Sequence, residues 1–252
     1  MGNGATKPKR QRIAEAQKTG VLVLSELGLK KFSKKSMRLG PTLRSLDLSK
    51  NHISKVPASV SVFVALKTLV LSENGITSLP NEMGSLTHLQ TLILDFNQLS
   101  ALNGVSKLSA LKTLSAVKNV ISVLPEFNGL EKLEVLNLAS NKIEKLPESI
   151  GMLKSVIDIN LEHNAIKELP LDWSGCRALK VLLLNHNQLS KALPISLLKS
   201  TPVARLELEN NPLDELDLVK CVDGYEQYET RRKLRIDKGL QMVNNFGVKW
   251  TG

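Results

Sequence analysis

The chain has 252 residues, 42% of them hydrophobic but only 4% aromatic, and a formal net charge of +10. The length allows one elongated domain or two small ones, and the scarcity of rings leaves a core to be built from leucine, isoleucine and valine, with little surface for stacking bases or sugars. No window approaches the roughly 18 uninterrupted apolar residues of a membrane span, the N-terminus lacks a secretory apolar stretch, and two cysteines (Cys176, Cys221) form no CxxC pair, so a soluble body in a reducing, intracellular compartment is expected.

The charge sits at the start of the chain. Residues 1–38 carry ten basic side chains against Glu15 and Glu26, while the remainder is close to balance with 24 basic and 22 acidic groups. Residues 1–18 open with MGNGATKPKRQR, which fits the M-G-x-x-x-[ST] pattern with Gly2 as acceptor and Thr6 at the required place. The fit implies N-myristoylation. One myristoyl chain binds membranes with an association constant of only about 10⁴ M⁻¹. Each basic residue near an anionic leaflet adds up to roughly 1 kcal/mol, so Lys7, Lys9, Arg10 and Arg12 supply the second signal of a workable anchor.

Next comes TGVLVLSELGLKKF, in which Leu22, Leu24 and Leu29 keep a spacing that returns throughout the chain, but Leu27 stands where later units place asparagine. That asparagine is Asn51, Asn74, Asn97, Asn119, Asn141, Asn164, Asn187 and Asn211, at intervals of 22 to 24 residues. Around each, an LxxLxLxxNxL skeleton reappears, as in LKTLVLSENGI and LEVLNLASNKI. Two leucines one residue apart point to the same side of a short strand. A single unit cannot close the core they enter, so neighbouring units must supply the walls. The sharp turn that follows leaves backbone donors and acceptors inside the stack, and an asparagine amide can satisfy both kinds at once.

A second register lies between strands. Six residues before the first apolar position of each unit stand Val60, Met83, Val105, Phe127, Ile150, Trp173 and Leu197, and three before it stand Phe63, Leu86, Leu108, Leu130, Leu153, Cys176 and Ser200. These columns are expected to line the convex side of the core, which makes Cys176 a packed thiol and Trp173 core filler.

These repeats identify residues 19–218 as a member of the leucine-rich repeat family, and LPNEMGSLTHLQTLILDFNQL resembles its short intracellular, Ras-suppressor-like class, in which Leu-Pro opens the convex segment. The resemblance implies an α/β fold: a right-handed leucine-rich-repeat solenoid of about nine units with a concave parallel β-sheet, an arc roughly 40 Å long at the usual strand spacing. Three local departures stand out: Ala116 in place of a core leucine, no proline after Leu102, and Leu193-Pro194 displaced by one residue. QRIAEAQKTG is expected to cover the first end. DGYEQYETRRKLRIDKGL, within residues 219–252, reads as a helix over the other with Asp223 as its N-cap.

Strand positions beside the buried leucines face the concave side. Val70, Ile93, Phe96 and Val117 form an apolar group, and Asn137, Asp158, Asn160, Glu162, Glu207 and Glu209 a polar, mainly acidic one, together suiting a protein partner with a hydrophobic anchor and a basic edge. His163 and His186, one repeat apart, do not amount to a metal site. With no phosphate loop, nucleophile elbow or HExxH, the chain reads as non-enzymatic, without cofactor or metal.

The N-terminal glycine signal, the small array and the closing DGYEQYETRRKL also resemble the leucine-rich repeat-containing protein fifty-seven type, a family thought to be membrane-associated. The expected function is a monomeric protein-interaction scaffold at the cytoplasmic face of a membrane. The alternatives are a soluble regulatory subunit of a phosphatase or small GTPase pathway, and a basic nucleic-acid binder. The last is disfavoured because the basic tail has no interleaved aromatics.

Overall fold

The computed structural model describes residues 8–213 and 222–245. Nine strands form one curved parallel sheet in sequential order: β1 (Val21–Val23), β2 (Ser45–Asp47), β3 (Thr68–Val70), β4 (Thr91–Ile93), β5 (Thr113–Ser115), β6 (Val135–Asn137), β7 (Asp158–Asn160), β8 (Val181–Leu183) and β9 (Arg205–Glu207). Each is three residues long, because only the LxL segment of a unit repeats with the two-residue period of a strand. The register puts Leu22, Leu46, Leu69, Leu92, Leu114, Leu136, Ile159, Leu182 and Leu206 in one row. With the second leucine of each pair and the convex columns they make one continuous core, so no unit has an interior of its own.

After each strand the residue preceding the asparagine, or preceding Leu27 in the first unit, takes a left-handed conformation: Glu26, Lys50, Glu73, Phe96, Lys118, Ser140, His163, His186 and Asn210 all have φ between 53° and 59°. None is glycine, although this region disfavours L side chains. The asparagine compensates. In Asn97, Nδ2 donates to the carbonyls of Leu71 (2.9 Å), Leu94 (3.0 Å) and Asp95 (3.3 Å), while Oδ1 accepts from the Ile76 N–H (3.0 Å). Two of these partners belong to the preceding unit. The first unit has no predecessor, which is why Leu27 can stand in the asparagine column. Its own N–H and that of Leu29 are taken by Oδ1 of Asn51, at 3.1 and 2.9 Å.

On the convex side, Pro57, Pro80 and Pro147 each precede a 3₁₀ turn (Ala58–Val62, Asn81–Ser85, Glu148–Met152) that turns Val60, Met83 and Ile150 inward. Where proline is missing after Leu102, Gly104 (φ 76°) introduces a shorter 3₁₀ turn, Val105–Lys107. A four-residue helix, α2 (Lys34–Met37), occupies this place in the first unit. The displaced Leu193-Pro194 starts a true α-helix, α3 (Ile195–Ser200). The extra residue of that unit moves Ser200 out of the core, contrary to its expected column, and buries Leu198 and Thr201 instead. Ala116 is fully buried.

Both described ends are covered by helices. At the first, α1 (Lys9–Thr19) packs Ala16 and Ile13 on the core and ends at Gly20 (φ 72°). The Thr19 hydroxyl accepts from the Val21 N–H (3.2 Å), and the Arg12 guanidinium donates to the Val23 carbonyl (3.1 Å), so α1 engages polar groups of the edge strand. At the other end, α4 (Tyr225–Asn245) buries Tyr228, and its Arg231 donates to the carbonyls of Val203 (2.9 Å) and Leu198 (2.5 Å). Asp223 does not immediately precede this helix. Gly224 (φ 98°) stands between them, and the Asp223 carboxylate pairs with Lys199 at 2.9 Å.

The candidate interaction face

The concave face is the exposed side of the sheet, and the register decides which side chains meet there. Val70 and Ile93 are Cα partners on β3 and β4, both half-buried, and together they present adjoining apolar surface. Val117, also half-buried, follows one strand further on, just beyond β5. Phe96 belongs to the left-handed column at the strand ends, where it is 49% exposed and lies 4.9 Å below the Lys118 ammonium, a cation–π contact. The apolar group is not continuous. Asp95 enters it, its Oδ1 accepting from the Ser115 hydroxyl (2.6 Å) and the Val117 N–H (2.8 Å).

The polar residues of the later units form a network. The Asn185 amide donates to Glu162 (2.7 Å) and Glu207 (2.9 Å), and its oxygen accepts from the Glu209 N–H (2.8 Å). Arg205 pairs with Glu207 at 2.5 Å. Half-buried Asp158 has its carboxyl pushed up by burial, opposed by the positive charges of Arg205 and Arg235, so the end helix contributes a cation to this part of the face. Asn137 and Asn160 turn their side-chain oxygens to the N–H groups of Ala139 (3.2 Å) and Glu162 (3.0 Å), and thereby hold the chain leaving each strand. Of the acidic side chains here, Glu209 is the exposed one.

His163 and His186 do approach each other, with rings stacked 4.2 Å apart and 9° from parallel, and Asn210 Nδ2 lies 3.3 Å from His186 Nε2. Parallel stacked rings direct their nitrogens outward and not to a common point. No group of three or more metal-binding side chains occurs among the described residues. Cys176 is buried, its thiol pushed up to about 12 by desolvation, and its sulfur lies 3.3 Å from the Ile150 carbonyl. Such a thiol is inert at neutral pH. Trp173 is fully buried, with its indole N–H on the Pro170 carbonyl at 2.8 Å. Cys221 lies outside the described residues.

Of the N-terminal residues expected at a membrane, Gly2 and Lys7 lie outside the described residues, while Lys9, Arg10 and Arg12 fall in the first turn of α1. Between α1 and β1 runs an open groove of about 660 Å³ lined by Arg12, Glu15, Thr19, Val21, Val23 and Ser25. No described helix is long and apolar enough to cross a membrane.

Sequence reasoning missed Asp95, Asn185 and Arg205 as organisers of the face. Their column positions were readable, but the partners of Asp95 and Asn185 stand 20 to 24 residues away, and Arg205 pairs with Glu207 on its own strand while its charge reaches Asp158 two strands off.

Profile comparison supports the same reading. A profile described as leucine-rich repeat region matches residues 17–141, and one described as leucine rich repeat matches residues 133–189. The chain belongs to the leucine-rich repeat family.

Among solved structures, this leucine-rich repeat protein is similar to one from Leptospira interrogans, at 26% identity and a TM-score of 0.67 over 82% of this chain and 59% of that one. It also resembles the PEPR1–AtPEP1 crystal structure, at 25% identity and TM-score 0.63 over 73% of this chain and 27% of that one. An octameric complex of latrophilin 3, Unc5D and the leucine-rich repeats of FLRT2 matches in fold, at 23% identity and TM-score 0.67 over 79% of this chain and 64% of that one. In each case the chain spans less than two thirds of the solved chain.

Proposed function

We propose that this leucine-rich repeat protein is a protein-interaction scaffold held at the cytoplasmic face of a membrane by an acylated Gly2 and the adjoining basic residues. One observation carries the interaction half: a nine-stranded sheet whose concave side presents Val70, Ile93, Phe96 and Val117 next to a hydrogen-bonded acidic network. Apolar side chains on an open sheet beside fixed charges have the composition of an anchor site with a polar rim. The solved PEPR1–AtPEP1 and FLRT2 complexes supply the analogy for a protein partner. The fifty-seven type of the family, which the N-terminal signature and the closing helix resemble, supports the membrane half, as does the energetic sufficiency of one acyl chain with several cations.

Two measurements test the halves separately. Gly2→Ala moves the protein from the membrane fraction of its native cell to the soluble one, and intact-mass measurement of the wild type shows the added acyl chain. An unmodified N-terminus, or unchanged fractionation, refutes the anchor. Ile93→Glu combined with Val117→Lys abolishes the binding of partners captured by the wild type, while circular dichroism shows the fold retained. An unchanged set of partners removes the concave assignment.

A further inference from the structure

We propose that the convex side of the first repeat is a docking face for an anionic membrane surface, with Lys31 and Lys55 flanking an apolar cleft and Lys30 and Arg38 next in the chain to its lining residues Lys31 and Met37. From Leu27 to Leu46 the chain has no acidic residue but carries Lys30, Lys31, Lys34, Lys35, Arg38 and Arg44. The fold adds a cation that the linear stretch lacks. Lys31 of the first unit and Lys55 of the second flank one cleft of about 490 Å³, with Phe32, Met37, Pro57 and Ala58 among its lining residues.

What sets this region apart is the lack of any acidic side chain in the stretch, whereas the later units intersperse Glu and Asp with their lysines. Further along, Lys112 pairs with Glu134, Lys167 with Glu144, Lys191 with Glu168 and Lys199 with Asp223, each across about one repeat. Lys30, Lys31, Arg38 and Lys55 are exposed and have no carboxylate partner among the described residues. Unneutralised cations around a shallow apolar cleft complement a layer that is negatively charged at its surface and apolar just beneath it. A nucleic acid fits less well. Its bases want an exposed ring, and Phe32, the aromatic side chain of the cleft, is only 8% exposed. Arg10 and Lys18 of α1 are exposed at the same end of the stack. Docking through this end leaves the concave sheet of the later units open to a protein partner.

The inference rests on the membrane half of the proposed function, and Gly2→Ala protein keeps the two apart because it has no acyl site and retains the face. This protein is expected to sediment with vesicles of phosphatidylcholine and phosphatidylserine, not with phosphatidylcholine alone, and to be released by salt. Adding Lys30→Gln, Lys31→Gln and Lys55→Gln lowers the vesicle partition coefficient about tenfold or more. Lys132→Gln, Lys142→Gln and Lys154→Gln, which remove the same charge at distant units, change it less than about twofold. Three results overturn the proposal: equal losses in the two triple variants, no preference of the Gly2→Ala protein for phosphatidylserine, or tighter binding of single-stranded RNA than of these vesicles at one salt concentration. If Gly2 proves unacylated while the first triple variant alone loses vesicle binding, the face stands and the lipid anchor falls.

Discussion

At the scale of single residues, the molecule depends on an asparagine amide that joins adjacent units. Asn97 is 8% exposed and holds three carbonyls and one N–H, so its removal strands backbone groups where water has little access. Asn97→Ala is expected to lower the free energy of unfolding by about 2–4 kcal/mol, measured by urea titration. Asn211 makes the same bonds in the last unit, but it is more exposed there. Its alanine variant should lose only about 1 kcal/mol, because water can replace the amide. Equal small losses at both positions would show that the ladder contributes little. The same bonding makes the left-handed residues tolerable: a conformation disfavoured for Phe96 or His163 is held by the turn and not by the residue's own preference.

At the scale of elements, the strands are nearly identical whereas the convex segments vary, and glycine sets how closely those segments stack. A Cβ at Gly151 would overlap the carbonyl oxygen of Asp172 in the next unit, and one at Gly175 would come within 2.6 Å of the Met152 Cα. These obstacles are backbone and cannot swing aside. Gly151→Ala is therefore expected to cost roughly 2 kcal/mol or more, seen as a lower midpoint of thermal unfolding. Gly75→Ala is the control, since the Ile53 carbonyl oxygen, the nearest atom outside its chain neighbours, would lie 3.8 Å from the new carbon. The change from 3₁₀ turn to α-helix at Ile195–Ser200 belongs to this scale as well: one additional residue lengthened the segment and exchanged Ser200 for Thr201 in the core.

At the scale of the whole molecule, a stack with a shared core is most vulnerable at its ends. Deleting residues 1–19 removes α1 together with its bonds to Val21 and Val23, and exposes a strand edge able to pair with another copy. Static light scattering should then report concentration-dependent association, where the intact chain stays monodisperse; a monodisperse truncation would mean that the edge needs no guard. Repeat length, strand content, the core leucines and the asparagine ladder were legible in the sequence, because each is a local pattern repeated every 22 to 24 residues. Legible too were the positions facing the concave side, since strand alternation follows from the backbone alone. What lay beyond the sequence was which side chains meet. Asp95 divides the apolar group by reaching Ser115 and Val117, Asn185 bridges Glu162 and Glu207, Arg12 turns to the edge strand, and Lys55 joins Lys31 across a cleft. The sequence by itself thus determined the unit and the stacking of units, because both come from short-range periodicity and one obligatory buried amide. Only the tertiary structure decided the chemistry of the surfaces, because that chemistry comes from side chains a full repeat or more apart in the chain and a few ångströms apart in space.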